Sequence, residues 1–266
     1  MKLDVQGRAA YAYTGGKPFA EDGPCVVFIH GALNDHSVWT LLARWYAHHG
    51  HRVLAVDQPG HGRSGGPPLP SVEALADWVL ALLDAAGVKT AHLVGHSMGS
   101  LIALEAASRA PERAAGLVMV GTAYPMKVSD ALLTTARDEP ARAIAMVNAF
   151  SHSGIASKPS YPGPGAWLRG GASALMHRMQ DGAEGNLFEH DFRVCDAYAN
   201  GLQAAARVTC PASLIVGTRD VMTPAKATKE LAGMLNATVS RIVSGHALMQ
   251  EAPDAVLNAM RAAIPA

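Results

Sequence analysis

The chain has 266 residues, 49% hydrophobic and 17% charged, enough to bury a full core as one large α/β domain or two small ones. Its 22 Lys and Arg balance 22 Asp and Glu, so no global field draws it to nucleic acid or anionic lipid. Three cysteines, Cys25, Cys195 and Cys210, are too few and too scattered for a disulfide framework, and each reads as a small hydrophobe in a reducing compartment.

Residues 1–13 alternate polar and apolar side chains without the apolar stretch of a secretory leader, and 2–14 predict an antiparallel hairpin. An apolar run at 25–29 predicts a strand, followed by His30 and Gly31, and helical spacing follows over 38–49. The cluster His48, His49, His51 ends that helix, where positive charge suits the helix dipole, so a metal site is not expected there. A second strand at 53–56 runs into Asp57-Gln58-Pro59-Gly60-His61-Gly62-Arg63-Ser64. Ser71 suits the N-cap of a helix over 72–86, and Glu73, Asp77 and Asp84 interrupt its apolar stretch, which argues against a membrane span. A cytoplasmic location is the expectation.

The strand at 92–94 ends in Gly95-His96-Ser97-Met98-Gly99, which opens a helix over 98–110. A G-x-S-x-G at a strand-to-helix junction holds its serine on a strained turn with the hydroxyl exposed, and flanking glycines admit close backbone approach. The plainer reading of Ser97 is a helix cap. After a strand at 117–120, residues 125–207 carry no strand signal, and they read as a helical insertion, irregular over 151–165, between core segments 1–124 and 208–266. Strands at 214–216 and 239–243 follow, with a helix over 224–235 between them, Thr223 as its cap and Pro224 at its first position, and a last helix over 253–263.

A serine nucleophile needs a base and an acid behind it. Asp220 and His246 each lie just past a parallel strand, on the edge where Ser97 stands and where ligands bind in open α/β sheets. The loop after 117–120, Gly121-Thr122-Ala123-Tyr124, holds no competing acid.

The order Ser97, Asp220, His246, with His30-Gly31 and the run 57–64, resembles the α/β-hydrolase fold family over nearly the whole chain. The resemblance implies a mostly parallel, eight-stranded sheet flanked by helices, with a cap inserted after the sixth strand. It also implies a serine hydrolase acting on a small-molecule ester through an acyl-enzyme, without cofactor or metal. Ser97 is then the nucleophile, His246 the base, Asp220 the orienting acid, and the amides of Ala32 and Met98 the oxyanion hole, with Leu33 in place of Ala32 if the loop is shifted by one residue. Asp57, His30 and His61 become structural, and His96 packs beside the nucleophile. Met126, Met146, Phe150, Met176, Met179, Leu187 and Phe188 either line an acyl pocket or form the insertion's own core. Ser97 disfavours the Asp-dependent epoxide hydrolases and dehalogenases. A carbon–carbon bond hydrolase of aromatic ring-cleavage products and a non-catalytic binding protein are the alternatives.

Overall fold

The computed structural model describes residues 1–265. Eight strands, β1 (Lys2–Val5), β2 (Arg8–Tyr13), β3 (Cys25–Ile29), β4 (Arg52–Val56), β5 (Ala91–His96), β6 (Ala114–Val120), β7 (Ala212–Gly217) and β8 (Thr238–Ile242), form one sheet. Their order is β1-β2-β4-β3-β5-β6-β7-β8. The leading hairpin pairs antiparallel and joins β4 antiparallel, and every other pairing is parallel. All five residues of β3 are buried, as a central strand covered on both faces requires.

The two faces feed separate cores. Val27, Ile29 and Leu93 pack with α2 (Val72–Ala85) and α3 (Met98–Arg109), whereas Val26, Phe28 and Val94 pack with α1 (Thr40–His48) and the last helix of the chain. Between β6 and β7 lie α4 (Asp130–Asp138), α5 (Pro140–Ser151), α6 (Leu168–Gly182), α7 (Leu187–Ala197) and α8 (Gly201–Ala205), and then α9 (Lys229–Met234), α10 (Leu248–Glu251) and α11 (Pro253–Ala263) complete the flanks. Helices α4 to α7 build a third core around Ile144, Val147, Phe188 and Phe192, which also takes in Leu33 from the loop after β3. The end of α7 and α8 instead join the core beneath α3, where buried Glu105 accepts from Tyr198 Oη at 2.7 Å and Asn200 Nδ2 at 2.9 Å.

Two predicted helices begin differently. The helix read over 38–49 opens with a 3-10 turn, His36–Trp39, because Asp35 accepts the Ser37 amide at 2.9 Å and starts a tighter turn before α1. The helix read over 224–235 divides into a 3-10 turn, Ala225–Thr228, and α9. Pro224 is extended there, with ψ 138°, and Thr223 supplies no cap because its hydroxyl is bonded to Asp220. The three histidines after α1 separate: His48 faces solvent, His49 stacks on Trp45 at 3.9 Å and His51 is buried against Tyr46. Among the described residues no helix is long and apolar enough to cross a membrane.

Strand β3 lies between β4 and β5, so the chain leaves it to opposite sides. Their divergence opens a crevice at the C-terminal edge, with the loop after β3 on one wall and Ser97 on the other.

Candidate active site

Ser97 joins β5 to α3 with φ 53° and ψ −121°, a left-handed conformation costly for a residue with a Cβ. The surroundings enforce it. A Cβ on Gly95 would lie 2.0 Å from the Gly99 carbonyl oxygen, and one on Gly99 would lie 2.3 Å from that of Ile29, so both flanks must be glycine. The Ser97 amide is held by the Val120 carbonyl at 3.0 Å. Its side chain makes no capping bond to α3, which leaves the hydroxyl free and answers the reading of Ser97 as a helix cap.

On the neighbouring loops, His246 Nδ1 lies 2.8 Å from Asp220 Oδ2 with both side chains buried. Asp220 also accepts the amides of Met222 and Thr223 on Oδ1 and the Thr223 hydroxyl on Oδ2, at 2.9, 2.8 and 2.6 Å. Burial opposes ionisation of Asp220, but the adjoining His246 and the Thr223 bonds outweigh it and hold the carboxyl well below the usual carboxylate range. The ionised acid fixes Nδ1 as the protonated nitrogen and leaves the Nε2 lone pair open. Gly217 lets these two loops meet, since a Cβ there would stand 2.6 Å from the carbonyl oxygens of Ser244 and Gly245. Glu251 anchors the His246 loop from below, accepting the Gly245 amide at 3.1 Å and the Ser153 amide at 3.0 Å.

His96 lies beneath His246, ring centroids 4.8 Å apart, and its Nε2 donates to the His246 carbonyl at 2.9 Å. Burial, with the neighbouring His246, pushes its pKa down to about 3, so the ring is a neutral strut. Asp57 is fully buried and accepts the His36 and Arg63 amides at 2.7 and 2.9 Å together with the His36 ring. That pins the loop after β4 and leaves the carboxylate no free edge.

Ala32, in the loop after β3, lines the Ser97 cavity, and neither its amide nor that of Met98, the first residue of α3, donates to a protein acceptor among the described residues. The Leu33 amide is engaged elsewhere, donating to Asp191 Oδ2 at 2.9 Å. Asn34 Nδ2 holds the Ala32 carbonyl at 2.9 Å. Asp191, from α7, also pairs with His61 Nε2 at 2.9 Å, both side chains 2% exposed. His61 Nδ1 faces the Pro59 carbonyl at 3.1 Å, so both ring nitrogens meet acceptors, which only the doubly protonated ring satisfies. Although burial opposes the charge, Asp191 raises the His61 pKa. His30, 5.0 Å away, takes the opposite state: burial and the nearby His61 lower it to about 4, and its Nε2 accepts the Gln58 amide at 3.2 Å.

Two cavities meet at Ser97 and His246. An inner cleft includes Asn148, His152, Met176, Met249 and Gln250, and an outer groove is walled by Met126, Leu132, Met146, Phe150 and Met222. The apolar residues singled out by sequence therefore divide: Met126, Met146 and Phe150 line the groove, Met176 lines the cleft, and Met179, Leu187 and Phe188 belong to the third core. No hydrogen bond joins the Ser97 hydroxyl to His246 among the described residues, although the two share both cavities. Thr223, Asp191 and Glu251 were not legible as site residues. Thr223 and Glu251 do carry a local signal, lying three and five positions beyond the acid and the histidine.

Residues 24–160 match the family model of the alpha/beta hydrolase fold. The chain belongs to the α/β hydrolase fold family. It is 34% identical over 222 residues to a pimeloyl-[acyl-carrier protein] methyl ester esterase of Chromobacterium violaceum, a match covering 80% of this chain and 82% of that protein. A 36% match over 124 residues to the dihydrolipoyllysine-residue acetyltransferase component of an acetoin cleaving system in Pseudomonas putida covers 46% of this chain and about a third, 32%, of that protein. The enol-lactonase of Burkholderia xenovorans LB400 superposes with a TM-score of 0.81 over 100% of both chains at 21% identity, a likeness of fold.

Proposed function

We propose that this α/β hydrolase is a serine hydrolase that cleaves a small-to-medium carboxylic ester through an acyl-enzyme, with residues 125–207 as its cap. One observation carries the reading: the uncapped hydroxyl of Ser97, on its strained turn, shares a cavity with an imidazole whose far nitrogen is fixed by a buried, ionised carboxylate. Ser97 Oγ attacks the ester carbonyl while His246 Nε2 takes its proton and Asp220 stabilises the imidazolium. The Ala32 and Met98 amides hold the tetrahedral oxyanion, a donor pair in which each member is typically worth about 10²- to 10³-fold in rate. As the intermediate collapses, His246 protonates the departing alcohol, and water then attacks the acyl group by the same route. The hydroxyl-to-imidazole bond closes on substrate, as is common in resting acid–base sites. The reading calls on no metal or organic cofactor.

The ester hydrolase of Chromobacterium violaceum and the apolar outer groove support an ester as substrate. A chain-length series of p-nitrophenyl esters, run beside a ring-cleavage dienoate, tests it with Ser97→Ala as control. Ester turnover that vanishes in Ser97→Ala is expected. Dienoate hydrolysis with negligible ester turnover reassigns the enzyme to carbon–carbon bond cleavage.

A further inference from the structure

The inner cleft differs from the outer groove in one respect that packing does not explain. Asn148 and His152 stand one turn apart at the end of α5, 4% and 7% exposed, and both line the cleft together with Ser97 and His246. The side-chain atoms Asn148 Oδ1 and His152 Nε2 are buried and bonded to nothing in the protein, as are Gln250 Oε1 and His96 Nδ1, whose residues line the same cleft. An unpaired buried acceptor is costly, and four on the lining of one cleft call for a partner.

Their chemical sense is fixed by their other halves. His152 Nδ1 lies 3.0 Å from the Asn148 carbonyl, which can only accept, so Nδ1 carries the proton, and in that tautomer of the imidazole Nε2 is the acceptor. Asn148 Nδ2 donates to the Arg169 carbonyl at 2.8 Å, which fixes the amide and leaves Oδ1 as the open atom. Two acceptors held this way suit a donor and disfavour a carboxylate or a plain methyl group. The outer groove, by contrast, presents Met126, Met146 and Phe150 and suits an apolar chain.

We infer that Asn148 and His152 form a donor-reading subsite, and that the substrate is an ester with a hydroxyl or N–H group on one side of the scissile bond and an apolar chain on the other. This rests on the ester-hydrolase reading for the position of the scissile bond. The subsite itself is read independently of turnover, by binding to Ser97→Ala.

The test uses two isosteric pairs: hexyl 3-hydroxybutyrate against hexyl 3-methylbutyrate, with the donor on the acyl side, and 2-hydroxyethyl hexanoate against propyl hexanoate, with the donor on the alcohol side. Dissociation constants are measured calorimetrically on Ser97→Ala, and kcat/KM on the wild type. One hydroxylated ester should bind about tenfold more tightly than its methyl isostere. That ratio should fall toward one when His152→Phe or Asn148→Leu is added, each variant first checked for a cooperative melt. Equal binding within both pairs, or a preference that survives both substitutions, overturns the subsite. A preserved binding preference with no wild-type turnover of any ester supports the subsite and overturns the ester-hydrolase reading instead.

Discussion

Asp220, its side chain fully buried, takes four hydrogen bonds, and the one from the Thr223 hydroxyl falls on the same oxygen that faces His246. Thr223 Oγ1 is also 3.1 Å from His246 Nδ1, so the threonine braces both partners at once. Sequence assigns it to capping the following helix because Thr before Pro is a common helix start, and its place three residues beyond Asp220 does not say which way the hydroxyl turns. Replacing it by valine keeps the shape and removes the donor. Thr223→Val should lower kcat about tenfold with little change in KM, measured by steady-state hydrolysis of a p-nitrophenyl ester. Asp220→Asn, which no longer holds the charge opposite His246, should lose on the order of 10³- to 10⁴-fold in the same assay. Ser97 and Asp220 stand out in the sequence because each follows an apolar run that ends a parallel strand, whereas His246 follows the more polar β8 on the same edge, the edge where ligands bind in such sheets.

At the level of elements, α7 acts as a clamp. Its Asp191 reaches the Leu33 amide at a sequence separation of 158 and His61 at 130, tying the loop after β3 to the loop after β4. Pattern alone could not disclose a bridge of that span, since an isolated Asp on an amphipathic helix reads as surface. Removing one partner of a buried charge pair typically costs about 3–5 kcal/mol, so Asp191→Leu should melt well below the wild type. It should also lose kcat, because Leu33 follows the Ala32 amide and sits at φ 52°. The sign of the pH effect follows from His61. Its folded pKa is raised above 6.5, so its stabilisation is fully present below that pH and is lost as pH rises through the raised value. The gap in melting temperature between the wild type and Asp191→Asn should therefore narrow above pH 6.5. A gap that widens with rising pH would contradict the charged pair.

Across the whole molecule, four histidines work in the other sense, His51 and His92 lowered by burial and His30 and His96 lowered further. His30 is lowered to about 4 and His96 to about 3, both chiefly by burial, against 6.5 in the unfolded chain. The unfolded chain therefore takes up protons first, and stability falls as pH drops below 6.5 toward 4. His61 adds nothing to that slope, since its contribution is constant below 6.5. Asp220 adds to it only below 3.8, where its depressed pKa begins to matter. Calorimetric melting between pH 7 and pH 4 should show a steady fall. His96→Gln, which keeps a donor toward the His246 carbonyl and does not titrate, should make the fall shallower while His30, His51 and His92 sustain the remainder.

The sheet was readable because β3 to β7 are near-continuous apolar runs set between helical periods. Less readable were the helix starts at 36 and 225, where Asp35 caps a 3-10 turn and the Thr223 hydroxyl is held by Asp220 instead of capping. The two cavities depend on which apolar residues of 125–207 face inward, a property of packing that spacing along the chain does not carry.

The central claim is that Ser97 is a nucleophile activated by His246 and Asp220. Treatment of the folded chain with a fluorophosphonate, followed by intact-mass and peptide mass spectrometry, tests it most directly. One adduct per chain, located on Ser97, absent in Ser97→Ala and strongly slowed in His246→Ala, is the predicted result. A folded wild type that takes up no label, or takes it up on another residue, would contradict it.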